Sequence, residues 1–209
     1  MIKGGSGGEK TNLNGLTFEN STDLVSKIND DLSDKYEIKE HIFPKSFKSV
    51  FKKNKNIWDV YRKDEDKKIG IITKKKQFYN VLREIYNLEN IHSKTWEPDE
   101  AFFNLERGTV FIVEKKFQTG PGSVDEKLFG FNAKRIIYQE IFNQEDKEPN
   151  IPIEFATLLN SSYWLHRKYK DENGVEKVKS NYYHDYFNSL RNNGIRIMFD
   201  KYDYWWFGL

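Results

Sequence analysis

The sequence predicts an α/β fold, a central β-sheet flanked by helices, from three observations. First, TVFIV at 109–113 is an apolar run without alternation, the pattern of a strand covered on both faces. Second, stretches at 77–90 and 124–143 carry apolar residues at helical spacing on either side of it. Third, the signals through the centre run helix, strand, turn, strand, loop, helix, an order that packs helices on a sheet and leaves a site at strand ends.

Residues 1–12 (MIKGGSGGEKTN) are glycine-rich and form no regular element by propensity. They read either as a flexible tail or as backbone freed to approach a ligand. From Leu13 to about Asp31 the spacing of Leu16, Leu24 and Ile28 predicts a helix, with Glu19 early in it and Asp23 one turn later. Residues 36–76 mix short apolar runs with charge; YRKDEDKK reads as a charged turn entering a strand, Ile69 to Thr73. Phe78, Val81, Leu82, Ile85 and Leu88 form one stripe of an amphipathic helix. Pro98 and Asp99 lead into a strand, AFFNL, and Glu106-Arg107-Gly108 makes the turn to TVFIV, which ends in Glu114-Lys115-Lys116. After the loop QTGPG, Ser123 and Glu126 form a capping box for a helix to about Asn143, with Val124, Leu128, Phe131, Tyr138 and Phe142 along one side.

Beyond a loop at 144–150, PIEFATLLNSSYWL reads as a strand with a short helix or turn, and Asn173-Gly174 as a polar turn. NYYHDYFNSLRNNG predicts a helix stopping at Gly194, IRIMFD a strand, and the aromatic YDYWWFGL closes the chain. With no internal repeat, one domain over 1–209 is the simplest organisation: a glycine-rich arm at 1–12, a core at about 13–143, and a part at about 151–209 that completes the sheet, contacts a ligand or dimerises. Core or interface packing is the expected role of Tyr202, Tyr204, Trp205, Trp206 and Phe207.

Composition excludes several chemistries. The 209 residues contain no cysteine, so disulfides, thiolate metal sites and thiol nucleophiles are out, in keeping with a reducing cytoplasm. The four histidines are widely spaced and follow no zinc-binding pattern. No apolar stretch is long enough to cross a bilayer and the N-terminus lacks a signal-peptide core, so a soluble cytoplasmic protein without membrane partners is expected. The net charge is only +2, but lysines bunch at Lys52, Lys53 and Lys55, at Lys74 to Lys76, and at Lys115 with Lys116. Such clusters are more often solvated faces than phosphate tracks.

The chemistry concentrates at 98–116. In a strand, residues two apart share a face, so Glu114 and Lys116 project together and Lys115 projects oppositely. Asp99 lies 15 positions before Glu114, a spacing that lets a hairpin return one acid to the other. Two converging carboxylates suit Mg²⁺, which keeps several waters and binds through one or two carboxylates plus a substrate phosphate. A lysine on the same face can orient the attacking water and offset charge on a phosphoryl group, the requirements of phosphodiester hydrolysis.

Pro98-Asp99…Glu114-Lys115-Lys116 resembles the PD-(D/E)xK nuclease motif, and FIVEKKFQTGPGSVDEKL is similar to small Type II restriction endonucleases of that superfamily. The opening GGSGGEKTNLNGLTFENSTDL is also similar to openings of such proteins, with Glu19 at the position of an acid that an early helix contributes. The resemblance covers about the first two-thirds of the chain. It implies a restriction-endonuclease-like core with a central mixed sheet, and a Mg²⁺-dependent, site-specific cleavage of double-stranded DNA leaving 5′-phosphates. It assigns Asp99 and Glu114 to the metal, with the Lys115 carbonyl as a further ligand, and Lys116 to the nucleophilic water. Glu19 supports the metal's water shell or ligates a second ion. Gln118, Lys115, Thr11 and Asn14 are candidate DNA contacts. A twofold recognition site implies a homodimer. Two alternatives stay open: a repair or structure-selective nuclease on the same core, and a non-catalytic DNA-binding defence protein.

Overall fold

The apolar run at 109–113 sits where its lack of alternation places it, in an interior strand of a seven-stranded sheet, paired on both sides. A computed structural model describes residues 7–51, 55–120, 124–144 and 150–209, the side chains of 7–12 and of Asp125 excepted. The sheet order is β1 (Tyr36–Glu40), β2 (Ile57–Arg62), β3 (Lys67–Thr73), β4 (Glu100–Asn104), β5 (Thr109–Lys116), β6 (Ile153–Leu159) and β9 (Ile195–Phe199). Pairs from β1 to β5 are antiparallel; β5, β6 and β9 are parallel. The fold is therefore α/β with a mixed sheet. The parallel step needs a crossover, which the long helix α4 (Val124–Phe142) supplies between β5 and β6.

Each face of the sheet has its own core. One packs Ile71, Phe103, Val110, Ile112 and Phe155 against α3 (Gln77–Tyr86), α4, α5 (Ser161–Trp164) and α7 (His184–Asn192). The other packs Val60, Ile72, Phe102, Phe111, Val113 and Met198 against α1 (Gly7–Ser21), α2 (Leu24–Asp31) and α8 (Tyr204–Phe207). Consecutive residues of β5 feed opposite cores, so the strand is apolar on both sides. On β3, Gly70 is required by packing: a Cβ there would stand 2.3 Å from the Phe102 ring.

Several expectations are corrected. The helix read as starting at Leu13 begins at Gly7, because α1 extends backward from a docked segment and extension costs far less than nucleation. It is two helices, since Asp23 caps α2 by accepting the Ser26 N–H. Leu16 is exposed, and among the described side chains of α1 Phe18 reaches the core. On α3, Ile85 faces outward and Leu88 lies past the helix end, yet Leu88 is buried. The single helix expected before Gly194 is α6 (Lys179–Tyr182) and α7, separated at Tyr183. Ser123 of the expected capping box lies outside the described residues. β1 and β2 had no clear signal in the chain; they are held as an antiparallel ladder with β3. The Asn173-Gly174 turn joins a separate hairpin, β7 (Lys168–Lys170) and β8 (Glu176–Val178). At the C-terminus Tyr202 and Phe207 are core residues, whereas Trp205 is exposed beneath Arg196, its ring centroid 4.3 Å from the guanidinium carbon. No helix among the described residues is long and apolar enough to cross a membrane.

Candidate active site

The site forms where β4 begins and β5 ends. Antiparallel pairing sets Glu100 opposite Val113, so Asp99, one residue earlier, reaches the end of β5 beside Glu114. The Lys115 N–H donates to Asp99 Oδ2 at 2.8 Å and fixes that carboxylate. Glu114 and Lys116 share the face toward α3 and α4. The Lys116 ammonium donates to Asp99 Oδ2 at 3.2 Å, to Glu114 Oε2 at 3.1 Å and to the Lys115 carbonyl at 2.8 Å. Three oxygens thus surround one cationic nitrogen. This is a cradle for a cation, and its oxygens are the hard donors that suit Mg²⁺.

Two further lysines join it. Lys75, in the turn after β3, pairs with Asp99 Oδ1. Lys134 of α4 brings its ammonium 2.8 Å from Glu114 Oε1, without the alignment of a hydrogen bond, so this buried oxygen keeps acceptor capacity. Burial by itself pushes the Asp99 carboxyl up, but Lys116, Lys75 and the Lys115 N–H outweigh it and hold it below the usual carboxylate range. Burial likewise lowers Lys116, and the Asp99 and Glu114 charges more than restore it, so this lysine is firmly cationic. Tyr138 lies buried under the site, its hydroxyl without a hydrogen-bond partner among the described residues; burial first and the Glu114 charge second push it far above its ordinary value.

The structure therefore brings Asp99, Glu114 and Lys116 together. Glu19 stands at the rim, its Oε2 3.6 Å from Lys75 Nζ. Lys115 points to the opposite face, where it is buried and paired with Glu100 at 3.0 Å. It also donates to the Glu19 and Thr22 carbonyls at 3.2 and 2.7 Å, so it anchors the end of α1 and with it Glu19. Gln118 is buried past the end of β5; Asn160 bonds its backbone N–H and carbonyl, and its amide donates to Gly120. Neither Lys115 nor Gln118 thus presents its side chain to solvent, because each is spent on holding the local chain. Asn14 is exposed on α1, and the side chain of Thr11 lies outside the described residues. Among the described residues no three acidic or histidine side chains are grouped to hold a metal, so a bound ion would rest on Asp99, Glu114 and the Lys115 carbonyl.

Sequence reasoning missed Lys75, Lys134 and Glu100. Lys134 had a signal: it falls between Phe131 and Tyr138 on the buried stripe of α4, where a cation needs a carboxylate partner. Lys75 was hidden in a lysine run. His41, elsewhere, is buried, with Asp59 Oδ1 at 2.7 Å from Nδ1 and Glu84 Oε2 at 2.8 Å from Nε2. Compared with known proteins, the chain matches no family model, no curated protein and no solved structure.

Proposed function

We propose that the protein is a Mg²⁺-dependent endonuclease with a restriction-endonuclease-like core, which hydrolyses phosphodiester bonds of double-stranded DNA at a specific site and leaves 5′-phosphates. The observation that carries this reading is the cradle of Asp99 Oδ2, Glu114 Oε2 and the Lys115 carbonyl, all within 3.2 Å of the Lys116 nitrogen. The donor set fits the ion: two carboxylates and a carbonyl leave room for the waters and the substrate phosphate that Mg²⁺ retains. When bound, the ion would supply Lewis-acid activation of water and charge neutralisation at the phosphate.

The chain's own groups do the rest. Asp99 and Glu114 hold the cation, and Asp99 is preorganised by the Lys115 N–H. Lys116, held cationic by its two acid neighbours, donates to the attacking water and offsets charge on the phosphate rather than taking a proton. Glu19, set over the rim through the Lys115 anchor, supports the water shell. The twofold symmetry of a duplex site calls for a homodimer, which sedimentation with and without cognate DNA tests.

The decisive experiment is a digest of unmethylated phage or genomic DNA with Mg²⁺ and with EDTA, alongside Lys116→Ala. Discrete Mg²⁺-dependent bands that vanish in the variant are expected, and sequencing their ends gives the recognition site. A smear would favour a repair or non-specific nuclease on the same residues. Folded protein that binds DNA and never cuts would replace catalysis by a binding role.

A further inference from the structure

Lys75 lies outside the spacing that marks the site, yet it reaches two of its acids, Asp99 Oδ1 and, at 3.6 Å, Glu19 Oε2. Its backbone is in the left-handed region, φ 53°, where a non-glycine residue sits at a cost of about 1 kcal/mol or more. Its N–H donates to the Pro98 carbonyl at 2.9 Å, which ties this turn to the residue before Asp99. The neighbours go elsewhere: Lys74 pairs with Asp23 and Lys76 lies 3.8 Å from Glu97. The bent turn therefore selects one lysine of three for Asp99.

Of the ammoniums on the two central carboxylates, Lys75 is the most exposed, at 45% against 20% for Lys116 and 24% for Lys134. It is the one that returns to water at least cost. Beside it opens a groove of about 440 Å³ whose lining includes Lys55, Asn56, Lys74 and Lys76, with Glu97 as its acid. Cations so arranged suit a phosphate backbone.

We propose that Lys75 is the exchangeable counter-cation of the site: its ammonium leaves Asp99 and Glu19 when a divalent cation is held by Asp99 and Glu114, and turns to a DNA phosphate lying in the groove. This deepens the nuclease reading and rests on it. Competition for Asp99 follows from the shared carboxylate, and the second role from the groove.

The test separates the two. Lys75→Gly removes the ammonium and suits the left-handed backbone; Lys75→Asn, which also tolerates that conformation, repeats it without glycine's flexibility. Calorimetric titration of the full chain with Ca²⁺, without DNA, should show affinity rising about three- to tenfold in both, the scale of removing one partly exposed competing charge. Cleavage at saturating Mg²⁺ should fall about tenfold or more, as expected for loss of a cation that meets the phosphate. Lys75→Arg should keep both properties near wild type. A merely structural lysine would lower affinity and cleavage together, which overturns the proposal. Unchanged Ca²⁺ affinity overturns it too, and leaves the nuclease reading standing if Asp99→Ala abolishes Ca²⁺ binding. Tighter Ca²⁺ binding with undiminished cleavage removes the phosphate contact. Folded wild-type protein that binds no divalent cation overturns both readings.

Discussion

The two faces of the β4–β5 hairpin hold similar charges and use them differently. On one, Glu100 is buried and both oxygens are engaged: Oε1 accepts from the Leu24 N–H at 3.0 Å and forms an ion pair with Lys115 at 3.0 Å, and Oε2 accepts from the Tyr202 hydroxyl. On the other, Asp99 and Glu114 are bound chiefly by lysines, with Glu114 Oε1 left short of a hydrogen bond. The Leu24 N–H and the Tyr202 hydroxyl are fixed by the fold, and the Lys115 ammonium beside them is itself buried and tied to two carbonyls. The more exposed ammoniums of Lys75, Lys116 and Lys134, by contrast, can move away. Adjacent acids in the sequence thus become a structural bolt and a site open to cation exchange. What separates them is the mobility of their partners.

The sharpest way to break this contrast is by activity. Lys116→Ala should lower DNA cleavage about 10³-fold or more, in line with loss of a group acting at the reacting phosphate, while its unfolding midpoint stays close to wild type. Wild-type cleavage by this variant in a timed digest would dissolve the distinction.

Next is stability on the sealed face. Glu100→Gln leaves the Lys115 ammonium buried without its counter-charge, and urea unfolding should show a loss of about 3 kcal/mol. Asp99→Asn should cost less, about 1–2 kcal/mol, because Lys116 keeps Glu114 and the more exposed Lys75 keeps Glu19 or returns to water. Equal losses would mean that both faces are structural.

Tyr202→Phe removes the hydroxyl shared by Glu100 and the Thr22 carbonyl and should cost about 1.5 kcal/mol, the scale of a hydrogen bond to a charged group. The same variant should leave Ca²⁺ affinity unchanged, which calorimetry can check.

The smallest effect concerns acid. Asp59 resembles Glu100 in being spent on structure. Burial would raise its carboxyl, but hydrogen bonds from His41 and Lys68 hold it below its ordinary 3.8. Its folded pKa is therefore below the unfolded one, so its contribution is fully present above about pH 4 and is lost as pH falls through the folded value. Asp59→Asn should flatten the acid limb of a stability–pH profile below pH 4 and leave neutral pH behaviour of the site untouched. A limb as steep as wild type would assign acid unfolding to other carboxylates.

What was legible follows from local periodicity. TVFIV announced a strand covered on both faces; the stripe Leu128, Phe131, Tyr138 and Phe142 announced α4; and Glu114 with Lys116 announced a shared face, because a strand's side chains alternate whatever surrounds them. Asp99 was legible through its distance along the chain, since a hairpin returns over a predictable number of residues. β1 and β2 were not, because antiparallel strands at one side of a sheet carry mixed polarity and are defined by the partner ladder. Nor was the kink at Asp23, where a capping side chain competes with helix continuation.

The sequence by itself determined the residue types that meet at the end of β5 and the face each one takes. Only the tertiary structure decided their company. It turned Lys115 inward to Glu100 and the end of α1, brought Lys134 across from α4, and bent the turn at Lys75 onto Asp99. The physical reason is that alternation along a strand is a local rule, whereas the charge that finally neutralises a buried carboxylate comes from residues distant in the chain, and these are set by packing alone.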